Sequence, residues 1–189
     1  MVFILSLSKD EDQARAPAGV WLHARGFGYS DAMSRTTPAT LALTKAGIEF
    51  TVHAYDYDPD ADSIGMAAAA ALGEDPCRVL KTLMALVDGK PVLVIVPSDR
   101  EVAMKKLAAA VGGKSAQMMK PSDAERISGY KVGGISPFGQ RKALPAVIEA
   151  DALAEERVYI NGGQRGLQVR LDPNAARDVL RAVAAQVSS

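Results

Sequence analysis

The chain is expected to fold as α+β, with a mixed, partly barrel-like β-sheet and surrounding helices. Three observations predict this. Strand and helix patterns intermix with hairpin-like spacings and without a βαβ rhythm. The two most apolar runs, Val79 to Val87 and Pro91 to Val96, flank Asp88-Gly89, a strong hairpin signal, and being apolar on both faces they should lie centrally. Each helical pattern is bracketed by a capping residue and a glycine or by Asp-Pro.

In order, Thr37-Pro38 opens a helix over 38–46 that Gly47 stops. The alternation Phe50, Val52, Ala54 predicts a half-buried strand ending at Tyr55, followed by an acidic turn through Pro59. An alanine-rich helix follows over 63–72, with Gly73 as its stop. Ser98-Asp99-Arg100-Glu101 and Ser122-Asp123-Ala124-Glu125 match the capping box, so helices are expected from each, ending at Gly112 and Gly129. Short strands are expected over 117–119, 144–149, 158–161 and 167–171, and Asp172-Pro173 opens a last helix through about Val187. Residues 1–32 show no sustained period and are read as a poorly structured extension, an upstream start-site overcall, ahead of a domain over 33–189.

Composition narrows the function. With 189 residues, 48% of them hydrophobic, the chain can bury a core without disulfides or a structural metal, and one cysteine with two histidines makes both improbable. No apolar run approaches the roughly 18–20 residues that span a bilayer, and the first residues lack a basic n-region, so the cytoplasm is the expected location. The 22 basic and 22 acidic residues cancel in sum but not along the chain. From Ala46 to Cys77 there are seven carboxylates and no Lys or Arg, whereas Val102 to Lys142 carries eight basic residues against two acids. A neutral chain can therefore present a positive face, although solvated helix surfaces explain the pattern equally well.

Three segments could carry chemistry. Lys81 falls, by period 2, on the strand face of Val79, Leu83 and Ala85, where an ammonium must be paired, snorkel or face a cavity; an exposed strand start is the plain alternative. Gly133-Gly134-Ile135-Ser136-Pro137-Phe138-Gly139 could leave backbone N–H groups free for a phosphate or oxyanion, though a simple turn is the commoner meaning of such a run. Asn161-Gly162-Gly163-Gln164-Arg165-Gly166 reads as a hairpin turn unless the fold brings it to the first glycine cluster. Asp56, Asp58, Asp60 and Asp62 lack the glycine and terminal glutamate of a calcium loop. Cys77 with His53 has no local nucleophile signature, so the inventory disfavours zinc chemistry and conventional nucleophilic catalysis.

These segments, in this order, resemble the YbaK/EbsC family. The resemblance rests on Thr37-Pro38-Ala39, His53-Ala54-Tyr55-Asp56-Tyr57-Asp58-Pro59, Lys81-Thr82-Leu83, the run from Gly129 to Gln140, and Gly162-Gly163-Gln164-Arg165-Gly166-Leu167. It implies a fold related to the editing domain of bacterial prolyl-tRNA synthetases. It further implies a trans-editing deacylase that removes cysteine from mischarged Cys-tRNA(Pro) beside prolyl-tRNA synthetase, with no cofactor and no metal.

By the same resemblance Lys81 is the essential lysine, Tyr55 the pocket tyrosine and Gly133 the glycine-loop residue; backbone N–H groups of Gly133, Gly134, Ile135 and Ser136 are expected to supply oxyanion donors. Tyr55, Asn161, Gly162, Gly163, Arg165 and Gln168 are expected to bind the substrate. Gln168 stands where family members have Asp, and Asn161 where they have Ser. Lys105, Lys106, Lys131, Arg141 and Lys142 are the expected tRNA contacts, since phosphate neutralisation dominates nucleic-acid affinity. A cysteinyl ester carries its own thiol, so the family needs to hold thiol and carbonyl together rather than supply a nucleophile. Deacylation of alanine or serine, or a non-catalytic tRNA- or nucleotide-binding role, are the alternatives.

Overall fold

The computed structural model describes residues 36–189, which belong to a single compact unit. The expectation for residues 1–32 lies outside the described residues. Five α-helices and eight strands follow in the order α1 (Pro38–Lys45), β1 (Phe50–Ala54), α2 (Ile64–Leu72), β2 (Val79–Val87), β3 (Lys90–Pro97), α3 (Met104–Ala110), β4 (Ala116–Met118), α4 (Pro121–Ser128), β5 (Ala146–Glu149), β6 (Val158–Asn161), β7 (Leu167–Leu171), α5 (Pro173–Leu180) and β8 (Val183–Ala185). Among the described residues no helix is long and apolar enough to cross a membrane.

Local signals account for most boundaries. Thr37 caps α1 reciprocally, its side chain accepting from Thr40 N–H while its own N–H bonds Thr40 Oγ1. Ser63 caps α2, and Gly73 ends it in the left-handed region at φ 65°. Asp88 and Gly89, at φ 48° and 78°, make the two-residue turn between β2 and β3.

Three expectations fail, each through tertiary competition. Ser98 does not cap a helix; its N–H and Oγ both bond Val79 O, so α3 starts only at Met104 and has no side-chain cap. Helix α4 starts one residue before Ser122, and Glu125 turns outward to accept from Lys131 Nζ and Val132 N–H. The last helix ends at Leu180 rather than near Val187, because Arg181 takes φ 50° and Val183–Ala185 pairs in parallel with β5. A sheet edge outcompetes helix propensity there.

The strands form one mixed sheet in the order β1-β7-β6-β2-β3-β5-β8, with β4 also on β2. β2 and β3 are central, as their apolarity predicts, and pair antiparallel from Leu80↔Pro97 to Val87↔Lys90. One face of β2 gives Leu80 and Met84 to the main core with Leu43, Ile95, Ile148 and Leu171; the other gives Ala85 and Val87 to a second cluster around Leu107 and Val147.

The far edge of β2 is covered incompletely, by β6 at Val79 and Leu80 and by β4 at Ala85 to Val87. Between them, from Lys81 to Met84, this edge has no strand neighbour. The hairpin register turns the peptide groups of Thr82 and Met84 toward that gap, where Met84 O accepts from Met119 N–H at 3.0 Å.

Candidate functional site

A cavity of about 400 Å³ opens at this gap. Lys81, Thr82, Leu83 and Met84 of β2 form one wall, α2 with the preceding residues Ala61 to Ser63 a second, and Met118, Met119 and Ala124 a third. Tyr55, Val132, Gly133, Ile135, Asn161 and Gln168 close it. Among the described residues Lys81 is the one cation lining it, donating from Nζ to Ser98 O at 3.3 Å and lying 3.6 Å from Glu101 Oε1.

The two glycine segments do converge. A Cβ on Gly134 would stand 2.8 Å from Arg165 N, so the main chains touch there. Asn161 Nδ2 donates to Gly133 O at 3.2 Å, Asn161 Oδ1 accepts from Gly163 N–H at 2.7 Å, and Arg165 Nε donates to Val132 O at 2.8 Å. Gly133 has φ 85°, and a Cβ there would reach Tyr57 Oη at 2.6 Å, so both backbone and neighbour demand glycine. Gly163, at φ 89°, packs on the Tyr130 ring and Ala39, while Thr37 Oγ1 bonds Gly162 O. Tyr130 Oη donates to Phe138 O at 2.7 Å, and burial pushes this phenol up to about 12, so it remains a donor.

The expected site residues therefore separate by role. Lys81, Tyr55, Gly133, Ile135, Asn161 and Gln168 line the cavity. Gly134, Ser136, Gly162, Gly163 and Arg165 lie behind it and set the loops. Gly134 N–H is spent on Lys131 O, and Ser136 is fully buried, its Oγ accepting from Phe138 N–H and its carbonyl from Gln140 Nε2. The N–H groups of Gly133, Ile135 and Ser136 have no protein partner among the described residues, and of these three residues Gly133 and Ile135 line the cavity.

Of the basic residues, Lys105 and Lys106 stand on α3, where Lys106 Nζ bonds Ser188 O. Lys131 pairs with Glu125 at 2.9 Å. Arg141 lies along Gly129, and Lys142 borders a second cavity of about 240 Å³ between α1, α5 and the 137–144 loop.

Residue-type reasoning passed over Thr82, Ser98, Met84, Met118 and Met119. Thr82 could have been suspected as the one hydroxyl in a central strand that is apolar but for Lys81; the methionines look like ordinary core residues in any sequence.

Four buried side-chain polar atoms lack a hydrogen bond among the described residues: Tyr55 Oη, Thr82 Oγ1, Gln140 Oε1 and Gln168 Oε1. Three belong to residues lining the larger cavity. Orphaned buried polar atoms are costly, and their concentration here marks a place where a ligand can supply partners. Burial raises the Tyr55 phenol above its usual range; the Gln168 amide is near enough to offset this slightly without forming a well-aligned bond.

Among the described residues no histidine or cysteine lines the cavity. His53 packs edge-on against Tyr159 at 5.1 Å. The Cys77 thiol lies elsewhere, pushed up to about 11 by burial and then by the Asp75 carboxylate, so it is protonated and unreactive near neutrality. Of the cavity serine hydroxyls, Ser98 donates to Val79 O, and Ser63 accepts from Met66 N–H at the start of α2. Among the described residues, the same cavity is lined by an ammonium and by two residues with unpartnered backbone N–H groups, and by no histidine or cysteine.

Solved structures share this fold. A protein described as a proposed trans-editing enzyme for prolyl tRNA synthetase superposes with a TM-score of 0.71 at 21% identity, covering 84% of this chain and 99% of its own. The hypothetical protein APE2540 gives 0.73 at 21% identity, covering 81% and 100%. In sequence, the Enterococcus faecalis protein EbsC, named for a proposed Cys-tRNA(Pro)/Cys-tRNA(Cys) deacylase activity, is 32% identical over 124 residues, 65% of this chain and 76% of its own. The aminoacyl-tRNA editing domain family matches residues 58–179, a span holding Lys81, both glycine segments and nearly the whole cavity wall, and the chain belongs to that family.

Proposed function

We propose that this chain clears cysteine from mischarged Cys-tRNA(Pro), acting in the cytoplasm beside prolyl-tRNA synthetase. The observation that carries the reading is a cavity with one cation, free backbone donors and no nucleophile–base pair, in a chain whose 32%-identical relative is named for this substrate. Such a site suits a substrate that brings its own nucleophile.

The cysteinyl sulfur attacks its own ester carbonyl. A C–S bond forms as the C–O bond to the ribose breaks, and the thiol proton ends on the released ribose oxygen. Gly133 and Ile135 N–H groups hold the developing oxyanion, each worth up to roughly 3 kcal/mol in a dry site. Lys81 holds the terminal adenosine phosphate or ribose. Thr82, Tyr55, Asn161 and Gln168 surround the amino acid over a floor of methionines, and holding sulfur and carbonyl in contact supplies several kcal/mol more. The basic residues between Lys105 and Lys142 take the acceptor stem, so binding weakens with salt.

The test is deacylation of cysteinyl-, alanyl- and seryl-tRNA(Pro), with and without prolyl-tRNA synthetase. Cysteine is expected to be released and alanine and serine retained. Lys81→Ala should abolish turnover with an unchanged circular dichroism spectrum, and Cys77→Ala should be fully active. Comparable release of alanine would replace the thiol route by an activated water, and binding of charged tRNA without release would make the protein a binding module.

A further inference from the structure

The ammonium of Lys81 has two partners, and they differ in kind. Ser98 is 3% exposed, and its N–H and Oγ are both pinned to Val79 O, at 2.9 and 2.6 Å, so its carbonyl is a fixed acceptor. Gly65 of α2 packs directly on it, a Cβ there meeting Ser98 Oγ at 2.7 Å. Glu101 is the opposite case. Its side chain is 87% exposed against 19% for Lys81, and its Oε1 reaches Nζ only across 3.6 Å.

Its backbone, however, is anchored. Glu101 O accepts from Ser189 N–H at 3.0 Å, Val102 bridges Ser188, and Ala103 N–H bonds Val187 O at 2.7 Å. The buried Glu149 fixes that partner segment in turn, its Oε2 accepting from Val187 and Ser188 N–H. The carboxylate thus swings from a stationary hinge, able to sit on Lys81 or to leave for water at little cost.

Resting on the reading of the cavity as a seat for the charged adenosine end of a tRNA, we infer that Glu101 is a displaceable counter-ion of Lys81. In the free protein it occupies the solvent side of the ammonium. A phosphate oxygen of the ligand takes that place on binding, while Ser98 O keeps the ammonium aimed. Glu101 is then a positioning residue that competes with the anion. It lowers affinity and takes no part in breaking the ester.

The experiment titrates adenosine 5′-monophosphate into the full chain by NMR, for wild type, Glu101→Gln, Glu101→Asp, Lys81→Ala and the double variant Lys81→Ala/Glu101→Gln. Glu101→Gln is expected to tighten binding two- to fivefold, the range exposed ion pairs are worth, and Glu101→Asp, too short to keep the 3.6 Å contact, to tighten it by a smaller factor. The tightening should vanish in the Lys81→Ala background, since a coupling through one contact disappears when either partner is removed. On charged tRNA the same factor should appear as a lower KM with kcat unchanged.

Equal tightening in both backgrounds would mean that Glu101 acts only through the general field, and the inference would fall. It would fall equally on weaker binding by Glu101→Gln, or on nucleotide binding indifferent to Lys81. The nucleotide arm requires no turnover, so absence of deacylation would overturn the proposed function while leaving this result readable.

Discussion

Substituting Gly134 by alanine tests whether the contact between the two glycine loops builds the site. The added methyl carbon would lie 2.8 Å from Arg165 N, 3.0 Å from Gln164 C and 3.2 Å from Gln164 Cα. Ordinary contact needs about 3.5 Å, so the loops must part by roughly 0.7 Å. All three atoms are main chain, and no rotamer can yield. The Arg165–Val132 and Asn161–Gly133 hydrogen bonds span this seam and would lengthen with it. Overpacking of this kind costs about 1–3 kcal/mol, or roughly 2–12 °C in Tm for a domain of this size.

The larger effect should be on turnover. Gly133 and Ile135 lie on either side of Gly134, and a displacement approaching 1 Å in a site that works by alignment can cost about 100-fold. Single-turnover release of cysteine from Cys-tRNA(Pro), with thermal denaturation on the same samples, separates the two losses. Gly133→Ala provides contrast, because its nearest obstacle is the Tyr57 hydroxyl at a side-chain end. Tyr57→Phe should relieve the closest approach and leave the ring carbons at 3.3 Å with the cost of φ 85°. A Gly134→Ala protein with wild-type Tm and turnover within twofold of wild type would refute the claim that loop contact sets the geometry.

Thr82→Val removes a buried hydroxyl that lacks a partner while preserving shape, so Tm should hold or rise, and kcat/KM should fall about five- to tenfold if that hydroxyl binds substrate; unchanged kinetics would exclude it. Stability should also depend on pH through His53, whose pKa is lowered from 6.5 by burial and then by Arg170. Below pH 6.5 the unfolded chain takes up more protons than the folded one, so stability is full above that pH and declines as pH falls toward the folded-state pKa. Urea midpoints at pH 7.5 and 5.0 should differ more in wild type than in His53→Gln; an equal difference would rule His53 out as the source.

Legibility in the sequence followed the range of the interaction. Thr37-Pro38, Ser63, Gly73 and Asp88-Gly89 act through bonds a few residues long, and their helices and turn form where the residues indicate. The capping boxes at Ser98 and Ser122 have equally good local chemistry, yet Ser98 is taken by Val79 on another strand and Glu125 by Lys131 and Val132. The stretch after Leu180 reads as helix and becomes a strand because β5 offers an open edge. Each failure has a better partner at longer range as its cause.

The α+β class, the central hairpin, the family, and Lys81 with the two glycine segments as the unusual residues are all legible in the linear chain. It carried the family because ordered motifs survive in the linear text. Which of those residues line the cavity emerges only from the folded chain. Gly133 and Ile135 line the cavity while Gly134, Ser136 and Gly163 support it, a division set by which main-chain surfaces touch. The cavity itself exists because β6 and β4 each cover only part of one edge of β2, exposing the stretch from Lys81 to Met84. Strand pairing depends on the sheet as a whole, and no local pattern records where a neighbour will stop.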